Sequence, residues 1–278
     1  MIKRLLFILL FLEGGKIFSQ PYIDPLDVRY MNASHNASKS ATPFTHLYIG
    51  SDLPIKLKNK GFLVFSPSYE SWNIDSASGK NYLPEVNSVA LPVSIIIPLN
   101  SGKWSVTATV MPRINSEGLK ITNSFQLGGA FLANYKMKDQ VKLKFGLYVN
   151  NEFFGIFVMP LVGIEWQINE RDNIFGVLPG RLTYEHRLNK IFYTGVTFRA
   201  ITNSYRLDQE NYLRIDDNQI SAYIDFYVTK HMVFSGEGGY GILRKLRSGT
   251  GYNKNYLIDY NWGDGIYFKM CASYRIRL

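Results

Sequence analysis

The sequence has one cysteine, Cys271, in 278 residues. A lone thiol excludes an intramolecular disulfide and a thiolate metal cluster, and no activating base stands near it to make it a nucleophile. Charge is sparse too, with Asp, Glu, Lys and Arg at 19%, below the ~25% of an ordinary soluble domain. Histidine occurs only at positions 35, 46, 186 and 231. No HxxxH, HExxH, EF-hand or GxSxG pattern is present, so neither a metal nor any other cofactor is implied. The net charge is +9, but the cations are dispersed. A compact basic run or RNA-binding motif is missing, which argues against a nucleic-acid partner. Past residue 19 no apolar run approaches the ~18 residues of a membrane helix, and no 3.6-residue apolar period appears.

Aromatic side chains, by contrast, are abundant: 19 Tyr, 18 Phe and 4 Trp, in a chain of mean hydropathy −0.09. Residues 263–278, GDGIYFKMCASYRIRL, show how they are used. One alternate set is Ile266, Phe268, Met270, Ala272, Tyr274, Ile276 and Leu278. The other is Gly265, Tyr267, Lys269, Cys271, Ser273, Arg275 and Arg277. Period two over this length is a strand with one apolar and one polar face, the pattern of a barrel strand between lipid and a polar lumen. At the other end, residues 1–19 place Lys3 and Arg4 before the apolar run 5–12. That is a secretory signal peptide, with cleavage expected after Ser19, and residues 20–278 form the barrel domain.

Between these ends, strand-like segments alternate with two kinds of connection. Tight turns fall at 59–61, 100–102, 138–139, 169–172, 189–190 and 229–230. Longer polar loops fall at 33–43, 75–86, 115–120, 150–154, 208–217 and 246–261. Barrels of the outer membrane have short periplasmic turns and long external loops. The alternation fails once, and a hairpin at Pro179-Gly180 restores it. The reading is therefore an all-β, closed antiparallel transmembrane barrel of 14 strands, or 12 without that hairpin and the weak first strand. Trp72, Trp104, Trp166, Trp262, Tyr69 and Tyr82 near strand ends suit aromatic girdles.

The run GIEWQINERDNIFGVLPGRLTYEHRLNKIFYTGVTFRA, residues 163–200, carries a resemblance. Its strand, polar turn, Leu-Pro step, Tyr-bearing strand and Gly-containing strand resemble an uncharacterised family of Gram-negative outer-membrane β-barrels, a domain of unknown function. The resemblance implies location in the cell outer membrane and the barrel architecture, and no activity. One departure is the last residue, Leu278, where such barrels usually end in Phe.

Alternation places Glu165, Glu185, Arg187, Arg199, Asp225, Glu237, Lys269, Arg275 and Arg277 on the lumen side, since Arg or Lys on lipid costs about 2–4 kcal/mol at mid-bilayer. They form either a network of paired charges or a polar conduit. Arg244, Lys245, Arg247 and Lys254 form a basic cluster at the last long loop, placed outside by parity. There it would meet lipid phosphate, as in lipopolysaccharide. The other expected partners are outer-membrane lipid and, through the C-terminal strand, the barrel-assembly machinery. The functional reading is a non-enzymatic barrel acting as a passive pore or uptake channel for an unspecified small solute. A structural envelope protein and a lipid-modifying enzyme are the alternatives.

Overall fold

The computed structural model describes residues 21–33, 42–58, 60–74, 83–99, 102–120, 122–207, 210–260 and 262–278. The expected signal peptide and Tyr82 lie outside the described residues. No helix among the described residues is long and apolar enough to cross a membrane.

Fourteen antiparallel strands close into a barrel. They are β1 (Tyr22–Ala33), β2 (Phe44–Gly50 and Leu53–Lys56), β3 (Phe62–Phe65 and Ser68–Ile74) and β4 (Val86–Ala90 and Val93–Pro98). Next come β5 (Trp104–Glu117), β6 (Phe125–Lys138), β7 (Val141–Glu152) and β8 (Gly155–Gln167). The series ends with β9 (Asp172–Leu178), β10 (Arg181–Arg187), β11 (Phe192–Arg206), β12 (Asn211–Tyr227), β13 (Met232–Thr250) and β14 (Gly265–Arg277). A short strand, Tyr256–Asp259, folds back on β13. The ring closes where β1 pairs with β14, from Tyr22 opposite Arg277 to Asn32 opposite Phe268. The Pro179-Gly180 hairpin is formed, with Val177 opposite Arg181, so the count is 14 rather than 12.

Alternation sorts the side chains as lipid and lumen require. On β14, Ile266, Phe268 and Met270 are exposed outward, while Tyr267, Lys269 and Arg275 are buried inside. On β12, Ile220, Ile224 and Phe226 face out, and Ser221 and Asp225 are buried. Some interior tyrosines lie over a glycine of the next strand. A Cβ at Gly195 would stand 2.8 Å from the Tyr223 ring, and one at Gly239 would stand 2.6 Å from Tyr267.

Three turns at the end where β1 begins and β14 ends, the terminal end of the barrel, share one device. The Asn169 side-chain oxygen accepts from the amides of Arg171 and Asp172. Asn189 does the same for Ile191 and Phe192, and the Thr229 hydroxyl for His231 and Met232. A short polar side chain that bonds the backbone two residues on forms the turn locally, which keeps these connections tight.

The distal end is built differently. β11, β12 and β13 have 15, 17 and 19 residues, against the roughly 9–11 that a crossing needs. A register shift at Asp216/Asn218 and the positive φ of Leu243 bend β12 and β13, as a bulge does. Their distal parts fold inward over the opening. There Leu213, Ile215 and Tyr205 join Met31, Phe44, Trp72, Leu246 and Trp262 in a buried apolar core. Phe44 lies 4.6 Å from Trp262, and His46 stacks on Trp72 at 3.9 Å.

Several expectations are corrected here. The loops at 208–217 and 246–261 are largely strand, because β12 begins at Asn211 and β13 runs to Thr250. Both faces of that part of β12 are buried, which erases the two-faced pattern that marks a barrel strand. Trp72 and Trp262 belong to the distal core, not to a girdle, whereas Trp104 and Trp166 are exposed near the end bearing the termini. The exposed turn after β13 carries Lys254. An epitope tag inserted after Lys254 should be reached by antibody on intact cells. A tag reached only after lysis would reverse the orientation.

Candidate functional site

The interior above the terminal end is laced by ion pairs. Arg275 donates to Asp24 and to Asp225, each at 2.7 Å. Arg277 grips Glu185 through two nitrogens at 2.9 Å each, the fork-on-carboxylate geometry that only arginine supplies. Lys269 meets Glu237 at 2.7 Å. Lys142 and Lys144 share Glu165, at 2.8 and 2.9 Å. Tyr22 lies under Arg275, its ring centroid 3.7 Å from the guanidinium carbon. Each cation in this group has a carboxylate, which is what burial away from water demands.

Nearer the distal end a second network spans the interior. Glu152, fully buried, accepts from the Ser204 hydroxyl at 2.6 Å and the Ser204 amide at 3.1 Å. It also accepts from Gln126 at 3.2 Å and from Arg113. Tyr205 and Asn203 donate to Glu70 at 2.6 and 2.9 Å. Neighbouring residues of β11 are thereby tied to β3, β5, β6 and β7, strands that lie far from β11 around the ring. The distal part of β11 is a strap across the lumen.

Of the residues expected in the lumen, Glu165, Glu185, Asp225, Glu237, Lys269 and Arg275 each stand in one of these pairs. Arg187 lines a cavity of about 350 Å³ at the mouth beside the termini. Arg199 lies higher, in a cavity of about 360 Å³, and makes no hydrogen bond or ion pair to a described residue. The basic cluster expected outside is not a cluster. Arg244 is buried against Asp217 at 2.7 Å, and Arg247 is paired with Asp216 at 2.7 Å. Only Lys245 and Lys254 are exposed. The two arginines sit on the inward-folded part of β13, where a cation must have a partner.

Alternation did not single out Asp24, Asp27, Arg29, Glu70, Arg113 or Glu152. Arg29 carries the right signal, an inward position on β1. Glu152 and Glu70 carry none, because their partners come from β11, at the other side of the barrel.

No group of three or more His, Cys, Asp or Glu among the described residues is arranged to hold a metal. His186 meets Asp172 at 2.7 Å, and His46 meets Glu70 at 3.4 Å. Among the described residues neither pair includes a serine or cysteine nucleophile.

An apolar outer surface, a charged interior and a sheet that closes on itself define a transmembrane β-barrel. The chain belongs to the family described as Domain of unknown function (DUF6268), which it matches over residues 29–275. Its fold is similar to that of an outer membrane channel from Pseudomonas putida F1, with a TM-score of 0.51 and 9% identity over 95% of this chain and 100% of that one. A NanC porin gives a TM-score of 0.41 and 12% identity over 90% of this chain and 100% of that one. A deletion mutant of the TodX monoaromatic hydrocarbon channel gives 0.40 and 11% over 92% and 90%. No curated protein matches the chain.

Proposed function

We propose that the protein resides in the outer membrane as a non-enzymatic, passive channel for a small solute. The observation that carries this reading is the cavity system inside the wall. The cavity of about 350 Å³ at the mouth beside the termini shares Lys142 and Glu165 with a second of about 280 Å³. The 360 Å³ cavity lies farther in. These volumes fall at or near the lower end of the 300–1,000 Å³ found for small-molecule sites, and they suit a narrow, selective passage. The distal end faces the exterior, β14 is the strand that the assembly machinery engages before it closes on β1, and the outward Ile, Phe and Val side chains meet membrane lipid. The closed distal mouth favours the second reading, a structural envelope protein.

Two measurements test this together. Fractionation should recover the mature protein in the outer membrane, and purified protein in a planar bilayer should give discrete current steps. Recovery as a soluble periplasmic species would sink both readings. Membrane recovery with a silent bilayer would leave the structural one.

A further inference from the structure

The barrel wall is incomplete on one side. β9 and β10 have seven residues each, short of the roughly 9–11 that a crossing takes. Their connection stops beside Ala200, whose amide donates to the carbonyls of Pro179 and Gly180 at 3.2 and 3.1 Å. Beyond that point, residues 155–161 of β8 pair, among the described residues, with β7 only. Residues 200–206 of β11 pair with β12, and at the tip Arg206 meets Ser116 of β5 rather than β8. The strap held by Glu152 and Glu70 draws β11 inward, so the two edges that would complete the wall stand apart. The gap is framed at the hairpin end by Pro179-Gly180. At the distal end Phe153 and Phe154 pack on Tyr212.

The apolar outer surface continues past the hairpin tip. Ile156 and Val158 on β8 and Leu147 and Val149 on β7 are exposed outward beside the gap. Unpaired backbone at membrane depth is tolerated only where it is buried in protein or lines a water-filled cavity. The 360 Å³ cavity lies there. Phe157, Met159, Leu161 and Ile201 line it at the gap. Three cations line it within. Arg29 is paired with Asp27 and Lys269 with Glu237, while Arg199 is unpaired among the described residues. The one carboxylate on the lining among the described residues, Glu70, is taken up by Tyr205, Asn203 and His46.

An apolar threshold opening onto a guanidinium without a hydrogen-bond partner, whose nearby carboxylate Glu237 is already paired with Lys269, selects a molecule with an apolar body and one anionic end. We infer that the gap is a lateral portal between the membrane and the lumen for a small amphipathic carboxylate. Its apolar part lies against Phe157, Met159 and Leu161, and its carboxylate takes the Arg199 fork. With the distal mouth closed by the packed core, the side wall is the way in. The onward route rests on the channel reading above, whereas the binding site does not.

Octanoate is the probe, with the full mature barrel in lipid nanodiscs. The wild type should bind octanoate, and Arg199→Gln should weaken binding about 10–100-fold, the range for a hydrogen bond to a charged group. Arg199→Lys should restore part of it, and octylamine should not bind the wild type. Met159→Trp, which fills the threshold without touching an ion pair, should slow entry of octanoate preloaded in the bilayer. Equal binding by wild type and Arg199→Gln overturns the site. Undiminished entry in Met159→Trp overturns the portal, and that arm decides the matter if the Arg199 variants do not fold. Octanoate binding lost in Arg199→Gln, together with a silent planar bilayer, keeps the site and removes the channel reading.

Discussion

Replacing Ile224 with arginine is expected to destabilise the folded barrel by about 2–4 kcal/mol, and to lower its refolding yield. Ile224 projects from β12 into the apolar belt, 48% exposed, opposite Thr194 of β11 and Gly236 of β13. Neither neighbour offers a carboxylate, and lipid offers no water, so the guanidinium would be unpaired. Phe226→Arg should behave alike. The control is Tyr223→Gln, one position away and inward, which should refold nearly as well as the wild type. Asp225, which alternation alone would offer as a second control, is not one. It carries Arg275 and Ser235, so its loss strands a buried cation. Refolding yield into liposomes decides the comparison, and equal yields for Ile224→Arg and Tyr223→Gln would mean that the register of β12 is wrong.

Glu152→Ala is expected to cost about 3–5 kcal/mol, the usual penalty for removing one partner of a buried ion pair. Glu152 is reached by four donors on three other strands, namely Arg113, Gln126 and the hydroxyl and amide of Ser204. Without it, Arg113 loses its carboxylate and keeps only the uncharged partners Asn203, at 2.9 Å, and Tyr148, and the Ser204 amide is left without a partner. Glu152→Gln keeps the shape and one acceptor oxygen and should cost less. Urea unfolding of the reconstituted barrel measures both. Because the same residue ties β11 across the lumen, the alanine variant should also conduct more than the wild type in a planar bilayer. A variant as stable as the wild type would mean that the strap is held by the apolar core alone.

The strand pattern was legible wherever one face meets lipid and the other meets polar groups. Residues 265–277 could be read side chain by side chain, and the tight turns at 169–172, 189–190 and 229–230 could be read from the strand segments on either side of them. The Pro179-Gly180 hairpin followed from parity, since each crossing must return. Where the pattern failed, burial on both sides was the cause. Residues 211–219 of β12 carry Tyr212, Leu213, Ile215, Asp216 and Asp217, all buried, and no face of such a strand is marked as outer or inner. Arg244 and Arg247 were misplaced for the same reason.

By itself the sequence determined the class of architecture, the closure of the sheet and the inward side of most strands. Those follow from a period of two and from the cost of charge in lipid, both local properties. Only the tertiary structure decided which charges meet, that β11 crosses the lumen, that the distal mouth is packed shut, and that β8 and β11 part above a short hairpin. Glu152 and Ser204, or Asp24 and Arg275, lie 52 and 251 residues apart. Their pairing depends on the closure of the ring and on the inward course of β11, which no spacing along the chain encodes.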